Sequence, residues 1–263
     1  MKNGIERKTN KCYTVKKSTR IGVCAMKNDL SKLSVTEYSI SAPVKEKLCF
    51  AFVSDLHHCE NQPVLRSIQK ISPDAVLVGG DFMHNMSFYT RGFEFLKSCS
   101  QKYPVFCSLG NHEGRYEGDI HKAVAETGAT LLDNSHTLFK SVRIGGLTSG
   151  FLTDGIPETS WLDGFSSRTE YKILLSHHPE YYKKYICPLS VDLVLSGHAH
   201  GGQWRLFGRG VYAPGQGIFP KYSGGIYENR LIVGRGIGNA HRIPRINNVP
   251  EVIKLVLNSK GDK

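Results

Sequence analysis

The sequence predicts an α/β sandwich built around one or more β-sheets. Three observations carry this expectation. Short apolar runs rich in β-branched and aromatic residues alternate along the chain with segments of helical periodicity. Five of the apolar runs end in a cluster bearing aspartate, asparagine or histidine. The chain has 263 residues, 40% hydrophobic and 22% charged, which is ordinary for a globular protein able to enclose a substantial core.

From about residue 33 the elements follow in order. The alternation in KLSVTEYSI predicts a strand, and LCFAFVSDL (48–56) predicts a short buried one. PVLRSIQKI (63–71) reads as a helix, with Pro63 near its start where a missing N–H costs nothing. A strand over AVLVGGD (75–81), a helix from about Phe88 to Cys99 and a strand over PVFCSLGNH (104–112) come next. GDIHKAVAETG (118–128) is helical up to Gly128, its stop signal. Further strands are expected in RIGGL (143–147), YKILLSHH (171–178), VDLVLSGHAH (191–200), RLIVGRGIG and PEVIKLVL. One domain over 33–263 is expected, preceded by a basic arm over 1–32 that is partly disordered.

Composition narrows the function classes. No run of 18 or more apolar residues is present, so a membrane-spanning helix is not expected. IGVCAM (21–26) is too brief for a secretory signal core. The seven cysteines are scattered singly, with no CxxC, which fits reduced thiols and a cytoplasmic protein better than a disulfide framework. Net charge is +11, and residues 1–20 hold seven basic side chains against Glu6 alone. Such an arm is either a solvated tail or a contact for an anionic membrane or nucleic acid.

The strand-end clusters carry the chemistry. They are Asp55-Leu56-His57, Gly80-Asp81, Gly110-Asn111-His112, Ser176-His177 and Gly197-His198-Ala199-His200. Any one of them alone reads as a turn or a helix cap. Together they line the edge where open α/β sheets bind ligands, beyond the carboxyl ends of the strands. Carboxylates, imidazoles and an amide oxygen are ligands for Mn²⁺, Zn²⁺ or iron. Two aspartates, four histidines and an asparagine exceed the needs of one ion and match two ions sharing a carboxylate. Such a pair clamps both oxygens of an in-line phosphoryl displacement.

The ordered set DLH, GGD, GNHE, SHHP, GHAH resembles the calcineurin-like metallophosphoesterases, whose pattern is D-x-H, G-D, G-N-H-E/D, H, G-H-x-H. All five blocks stand in that order, and the resemblance covers roughly residues 33–258. GHAHGGQWRLFGRGVYAPGQGIFPKY and IPRINNVPEV are similar to one bacterial branch, often membrane-anchored or exported; here a basic arm stands where those members carry such a segment. The resemblance implies a four-layer α/β/β/α sandwich. It implies Asp55, His57 and His200 at a first metal, Asp81 bridging, and Asn111, His177 and His198 at a second. His177 rather than His178 is the implied ligand. His112 is then the general acid, Glu113 its supporting partner, and a metal-bridging hydroxide the nucleophile, with no covalent enzyme intermediate.

Several residues are left with two readings. His58, His84 and Asn85 lie on the rim, facing substrate or supporting the ligands. His241, Arg242 and Arg245 belong to a late loop, where an arginine either holds a second phosphate bidentately or is an ordinary surface residue. His121 and His136 are expected to be structural. Trp161, Trp204, Phe207, Tyr212 and Phe219 are either packing residues or an apolar lip.

The expected function is metal-dependent hydrolysis of a phosphodiester or diphosphate. The arm and the aromatic RLFGRGVYAPGQGIF loop favour a lipid-linked or nucleotide-sugar substrate and peripheral contact with an anionic membrane. The alternative is a nuclease or nucleotide phosphodiesterase, which the positive charge would suit. A non-catalytic scaffold of the same fold would not need every ligand together with His112, and none is missing here.

Overall fold

The computed structural model of the chain describes residues 13–17, 30–84, 89–150, 155–239 and 244–259. Two sheets form its centre. The first has seven strands: β1 (Tyr13–Lys17), β2 (Ser34–Ala42), β3 (Leu48–Val53), β4 (Ala75–Gly79), β5 (Val105–Ser108), β6 (Thr130–Leu131) and the last strand of the chain, β17 (Glu251–Ser259). Their order across the sheet is β1-β2-β17-β3-β4-β5-β6. The second has six: β7 (Ser135–Phe139), β8 (Val142–Leu147), β9 (Tyr171–Ser176), β10 (Leu193–Ser196), β15 (Gly225–Tyr227) and β16 (Leu231–Val233), in the order β15-β16-β10-β9-β8-β7. Two short hairpins, β11 (Arg205–Leu206) with β12 (Arg209–Gly210) and β13 (Tyr212–Ala213) with β14 (Gly217–Ile218), fill the connection from β10 to β15.

Strand alternation separates the layers. In β3, Leu48, Phe50 and Phe52 point between the sheets, where they meet Tyr171, Ile173, Leu175, Leu193 and Leu195. Ala51 and Val53, on its opposite face, pack under α1 (Asn61–Ile71), α2 (Tyr89–Ser100) and α3 (Ile120–Ala125). The second sheet buries Leu174 and Val194 against α4 (Leu162–Ser166) and a π-helical turn, Tyr182–Ile186. The result is the expected α/β/β/α sandwich.

Local chemistry explains the helices. Pro63 sits in the first turn of α1, where the N–H that proline lacks would have had no helical partner, and Val64 and Ile68, four apart, form the buried stripe. Asp119 caps α3 by accepting the Lys122 N–H at 3.0 Å. The helix itself ends at Ala125, three residues before Gly128, whose φ of 82° belongs to the turn that follows. Phe52 is 1% exposed between the sheets, with its ring pressed against Gly79. Phe52→Ala is therefore expected to cost about 3–5 kcal/mol, read as a lowered denaturation midpoint.

One strand, β1, and the place of another, β17, were not expected. β1 lies inside the segment read as an arm and pairs antiparallel with β2, from Tyr13↔Ile40 to Lys17↔Thr36. The rest of residues 1–29 lies outside the described residues. β17 is inserted between β2 and β3, parallel to one and antiparallel to the other, a long-range pairing that no local pattern announces. Among the described residues no helix is long and apolar enough to cross a membrane.

Candidate metal centre

The five clusters meet because β3, β4 and β5 are parallel neighbours in one sheet, and β9 and β10 are parallel neighbours in the other. Asp55 and His57 follow β3, Asp81 follows β4, Asn111 and His112 follow β5, His177 follows β9, and His198 and His200 follow β10. Main-chain hydrogen bonds lash the loops together. Asp55 N–H donates to the Gly80 carbonyl and His57 N–H to the Asp81 carbonyl, each at 3.1 Å, and Gly197 N–H donates to the His177 carbonyl at 3.1 Å.

The backbone here is bent into unusual shapes. Asp55, His57, Asp81, His198 and His200 have φ of 55°, 50°, 51°, 63° and 46°. Each such residue costs on the order of 1 kcal/mol or more, and clustered strain of this kind marks functional sites. Gly80, at φ 83°, has no room for a side chain: a Cβ would lie 2.7 Å from the Gly110 nitrogen and 2.8 Å from His177 Nδ1.

Two groups of three ligand atoms result, Asp55–His57–His200 and Asp81–His177–His198, every residue buried. Within each group the atoms lie within 4.8 Å of one another. In the first, His57 Nε2 is 3.2 Å from His200 Nε2, which is 3.5 Å from Asp55 Oδ1. In the second, His177 Nε2 is 3.2 Å from Asp81 Oδ2. That same oxygen is 3.8 Å from His57 Nε2 and so faces both groups. Asp81 divides its work: Oδ1 accepts the His112 N–H at 2.9 Å, while Oδ2 points into the centre. Asp55 likewise accepts the His198 N–H at 3.0 Å and the Ser54 hydroxyl at 2.6 Å.

The donor set fits cations. The amide Oδ1 of Asn111 is buried and has no hydrogen-bond partner among the described residues, as expected of an atom reserved for an ion. His177 Nδ1 lies 2.8 Å from the Gly79 carbonyl and His200 Nδ1 3.2 Å from the Gly238 carbonyl, which turns each Nε2 towards the centre. Burial holds His57 and His198 well below the ordinary imidazole range and His200 down to about 4, so all three are neutral, the form that can donate to a cation. Burial also works against charge on Asp81 and His177. Their mutual attraction outweighs it, holding the carboxyl of Asp81 well below its usual range and raising His177 to about 10.

His112 faces the same space, with Nε2 3.9 Å from Asp81 Oδ2 and Nδ1 2.5 Å from the His84 carbonyl. Glu113 is buried behind it, its carboxylate accepting the N–H groups of Gly110 at 2.7 Å, Asp81 at 2.8 Å and Met83 at 3.1 Å. Burial, with Asp81 adding to it, pushes Glu113 up to about 8, against the pull of those donors. It therefore ties the second and third loops together. Glu113→Gln presents an amide N–H₂ to one of these donors and is expected to weaken cation affinity about 10–100-fold. Activity titrated against metal concentration should recover at high metal.

The remaining residues sort by contact. His84 lies against both His57 and His112, with ring centroids 5.3 and 5.1 Å away, and His58 lies 5.0 Å from His84. His178 lies against His198, ring centroids 4.0 Å apart, with its Nε2 2.7 Å from Ser149 Oγ and its Nδ1 3.1 Å from Glu180 Oε1. Arg245 is buried behind His200. It donates to the carbonyls of Arg235 and Gly238, and one Nη lies 3.3 Å from His200 Nδ1. Both Nη atoms of its guanidinium are thus engaged by main-chain carbonyls. Asn85, His241 and Arg242 lie outside the described residues. His121 pairs with Asp133 at 3.0 Å, and His136 sits between Arg143 and the rings of Trp161 and Phe165, away from the centre. Trp161 is a packing residue, whereas Trp204, Phe207, Tyr212 and Phe219 are exposed.

Glu180 was not anticipated. Its Oε1 is 4.0 Å from His198 Nε2, and His178, Glu180 and His198 form a further group of ligand type. An acid three residues after a histidine in HHPE carries no recognisable spacing, because its approach to His198 depends on the pairing of β9 with β10.

A model of the calcineurin-like phosphoesterase family matches residues 49–202. Curated relatives share the similarity over most of the chain. An uncharacterised metallophosphoesterase of Aquifex aeolicus is 34% identical over 215 residues, 76% of this chain and 78% of its own. Phosphodiesterase YaeI of Escherichia coli is 28% identical over 232 residues, covering 78% of this chain and 80% of YaeI. The uncharacterised metallophosphoesterase YkuE of Bacillus subtilis is 27% identical over 222 residues, 80% and 77% of the two chains.

Proposed function

Because the chain belongs to the calcineurin-like phosphoesterase family, whose members are metal-dependent phosphoester hydrolases, we propose that it binds two divalent cations and hydrolyses a phosphodiester or diphosphate. The observation that carries this reading is the position of Asp81 Oδ2, 3.8 Å from His57 Nε2 and 3.2 Å from His177 Nε2. A carboxylate oxygen facing both groups is the donor that a pair of ions would share.

In this proposal Asp55, His57 and His200 hold one cation, Asn111, His177 and His198 the other, and Asp81 bridges. Manganese, zinc and iron all suit these donors. When bound, the cations supply an activated water and neutralise charge on the phosphoryl oxygens. The protein's own residues do the rest. His112, held through Nδ1 by the His84 carbonyl, gives the proton on Nε2 to the departing oxygen. Glu113 keeps that loop in register with Asp81. His58 and His84 form the wall against which the substrate lies, and Arg245 stands behind His200, donating to the Gly238 carbonyl that His200 Nδ1 also faces. Residues 33–263 are the hydrolase domain, with a basic arm over 1–32 joined to the sheet through β1.

A diester is favoured over a monoester by the name borne by the Escherichia coli relative. A lipid-linked or nucleotide-sugar diphosphate, reached by peripheral contact with a membrane, is favoured by the exposed aromatic residues that follow His200. Comparing turnover of bis(4-nitrophenyl) phosphate with that of 4-nitrophenyl phosphate, under one metal, tests the substrate class. Preference for the diester is expected; monoester preference would reject the diester reading.

A further inference from the structure

Exposed apolar side chains are concentrated in one place. Of the eight large hydrophobic residues exposed among those described, six lie between residues 204 and 219: Trp204, Leu206, Phe207, Tyr212, Ile218 and Phe219. They belong to the two hairpins β11–β12 and β13–β14. Phe207 occupies the first hairpin's turn at φ 48°, fully exposed, and Phe219 follows the second hairpin at φ 53°, 73% exposed. Left-handed backbone at a bulky aromatic is unfavourable, and leaving these rings in water gains nothing for folding.

The hairpins form a single body. Val211 N–H donates to the carbonyls of Gly202 at 3.1 Å and Trp204 at 2.8 Å, and Phe219 N–H donates to the Val211 carbonyl at 2.8 Å. The Trp204 indole N–H is fixed to the Pro244 carbonyl at 3.0 Å, and Arg205 is spent internally on the carbonyls of Gly201, Gly208 and Ser223. The exposed rings are therefore carried on a rigid support. Charge selects the partner. Residues 201–227 contain Arg205, Arg209 and Lys221 and no acidic residue; Arg209, Lys183 and Lys184 are exposed, and Lys221, also exposed, is paired with Glu228 just beyond the segment at 3.0 Å. Aromatic and aliphatic tips on a segment of basic charge, with Arg209 exposed beside Phe207 in the chain, match the interface of an anionic bilayer, where rings enter the headgroup layer and lysine or arginine meets phosphate.

We propose that the β11–β14 module is a membrane-docking surface that inserts Leu206, Phe207, Ile218 and Phe219 into the interface of an anionic bilayer. Its placement ties docking to the metal centre. The second hairpin rests on Glu180 through Gly215, where a Cβ would collide with the Glu180 carboxylate, and Glu180 Oε1 is 4.0 Å from His198 Nε2. Docking thus brings the centre against the headgroup layer. Only this last consequence rests on the hydrolase reading, since docking itself does not need turnover.

Co-sedimentation of the full chain with vesicles of phosphatidylcholine, alone or with about three-tenths phosphatidylglycerol, tests the proposal alongside the variant Leu206→Ser/Phe207→Ser/Ile218→Ser/Phe219→Ser. Wild type is expected to favour the anionic vesicles. The variant should bind them at least about tenfold more weakly, with an unchanged melting temperature and unchanged turnover of a soluble diester. Equal binding by variant and wild type would overturn the proposal, leaving the basic arm as the membrane contact. Failure of wild type to bind anionic vesicles would also overturn it. So would a variant that turns a dimer into a monomer in sedimentation equilibrium, since the patch would then be covered by a second copy. Absent diester turnover in both proteins would count against the hydrolase reading and leave the vesicle result standing.

Discussion

Asp81→Asn is expected to reduce turnover of a phosphodiester by at least about a thousandfold, corresponding to roughly 4 kcal/mol of lost transition-state stabilisation. The substitution keeps the side chain's shape, and the amide oxygen can still accept the His112 N–H that Oδ1 accepts at 2.9 Å. What disappears is the charge on Oδ2, the oxygen lying between His57 and His177. His177 loses the carboxylate oxygen 3.2 Å from its Nε2, and both groups lose the charged oxygen that faces them. Metal content measured on the purified variant should fall together with kcat. Wild-type turnover in Asp81→Asn would remove the bridging role and the two-cation account with it.

His112→Ala is expected to act differently. Its contribution is a proton for the leaving oxygen, which general acid catalysis values at about 10²–10⁴ in rate. A diester of a simple alcohol needs that proton and should lose turnover over this range. A 4-nitrophenyl ester, whose leaving group departs as a stable anion, should lose less than about tenfold. Both cations should still bind, because Asp81 and Asn111 are retained, although the pin from His112 N–H to Asp81 Oδ1 remains only if the loop keeps its path. Equal losses for both esters, with metal content intact, would show that His112 orients the substrate instead of protonating the product.

Much of the site can be read in the chain. The clusters at Asp55, Asp81, Asn111, His177 and His198 are legible because each closes an apolar strand, and the parallel strands within each of the two sheets deliver their carboxyl ends to one edge. The layered fold is legible for the same reason, through alternation such as that of Leu48, Phe50 and Phe52 in β3. The division of Asp81 between a structural oxygen and a free one is not legible, since it depends on a backbone N–H thirty-one residues away. Nor is the burial of Arg245 behind His200, where sequence offered a phosphate clamp or a surface residue. Glu180 reaches His198 only through the packing of the second sheet, and β17 finds its place between β2 and β3 only when the whole chain has folded. The aromatic residues after His200 looked as much like packing as like a lip, because composition does not reveal whether a hairpin covers its rings.

The most direct test of the central claim is to strip the protein of metal and titrate manganese, zinc or iron back while following both bound metal and hydrolysis of bis(4-nitrophenyl) phosphate. Two cations bound per chain, with hydrolysis absent without metal and rising as the second site fills, is the result predicted here. Saturation at one cation per chain with full activity, or hydrolysis that survives complete removal of metal, would contradict it.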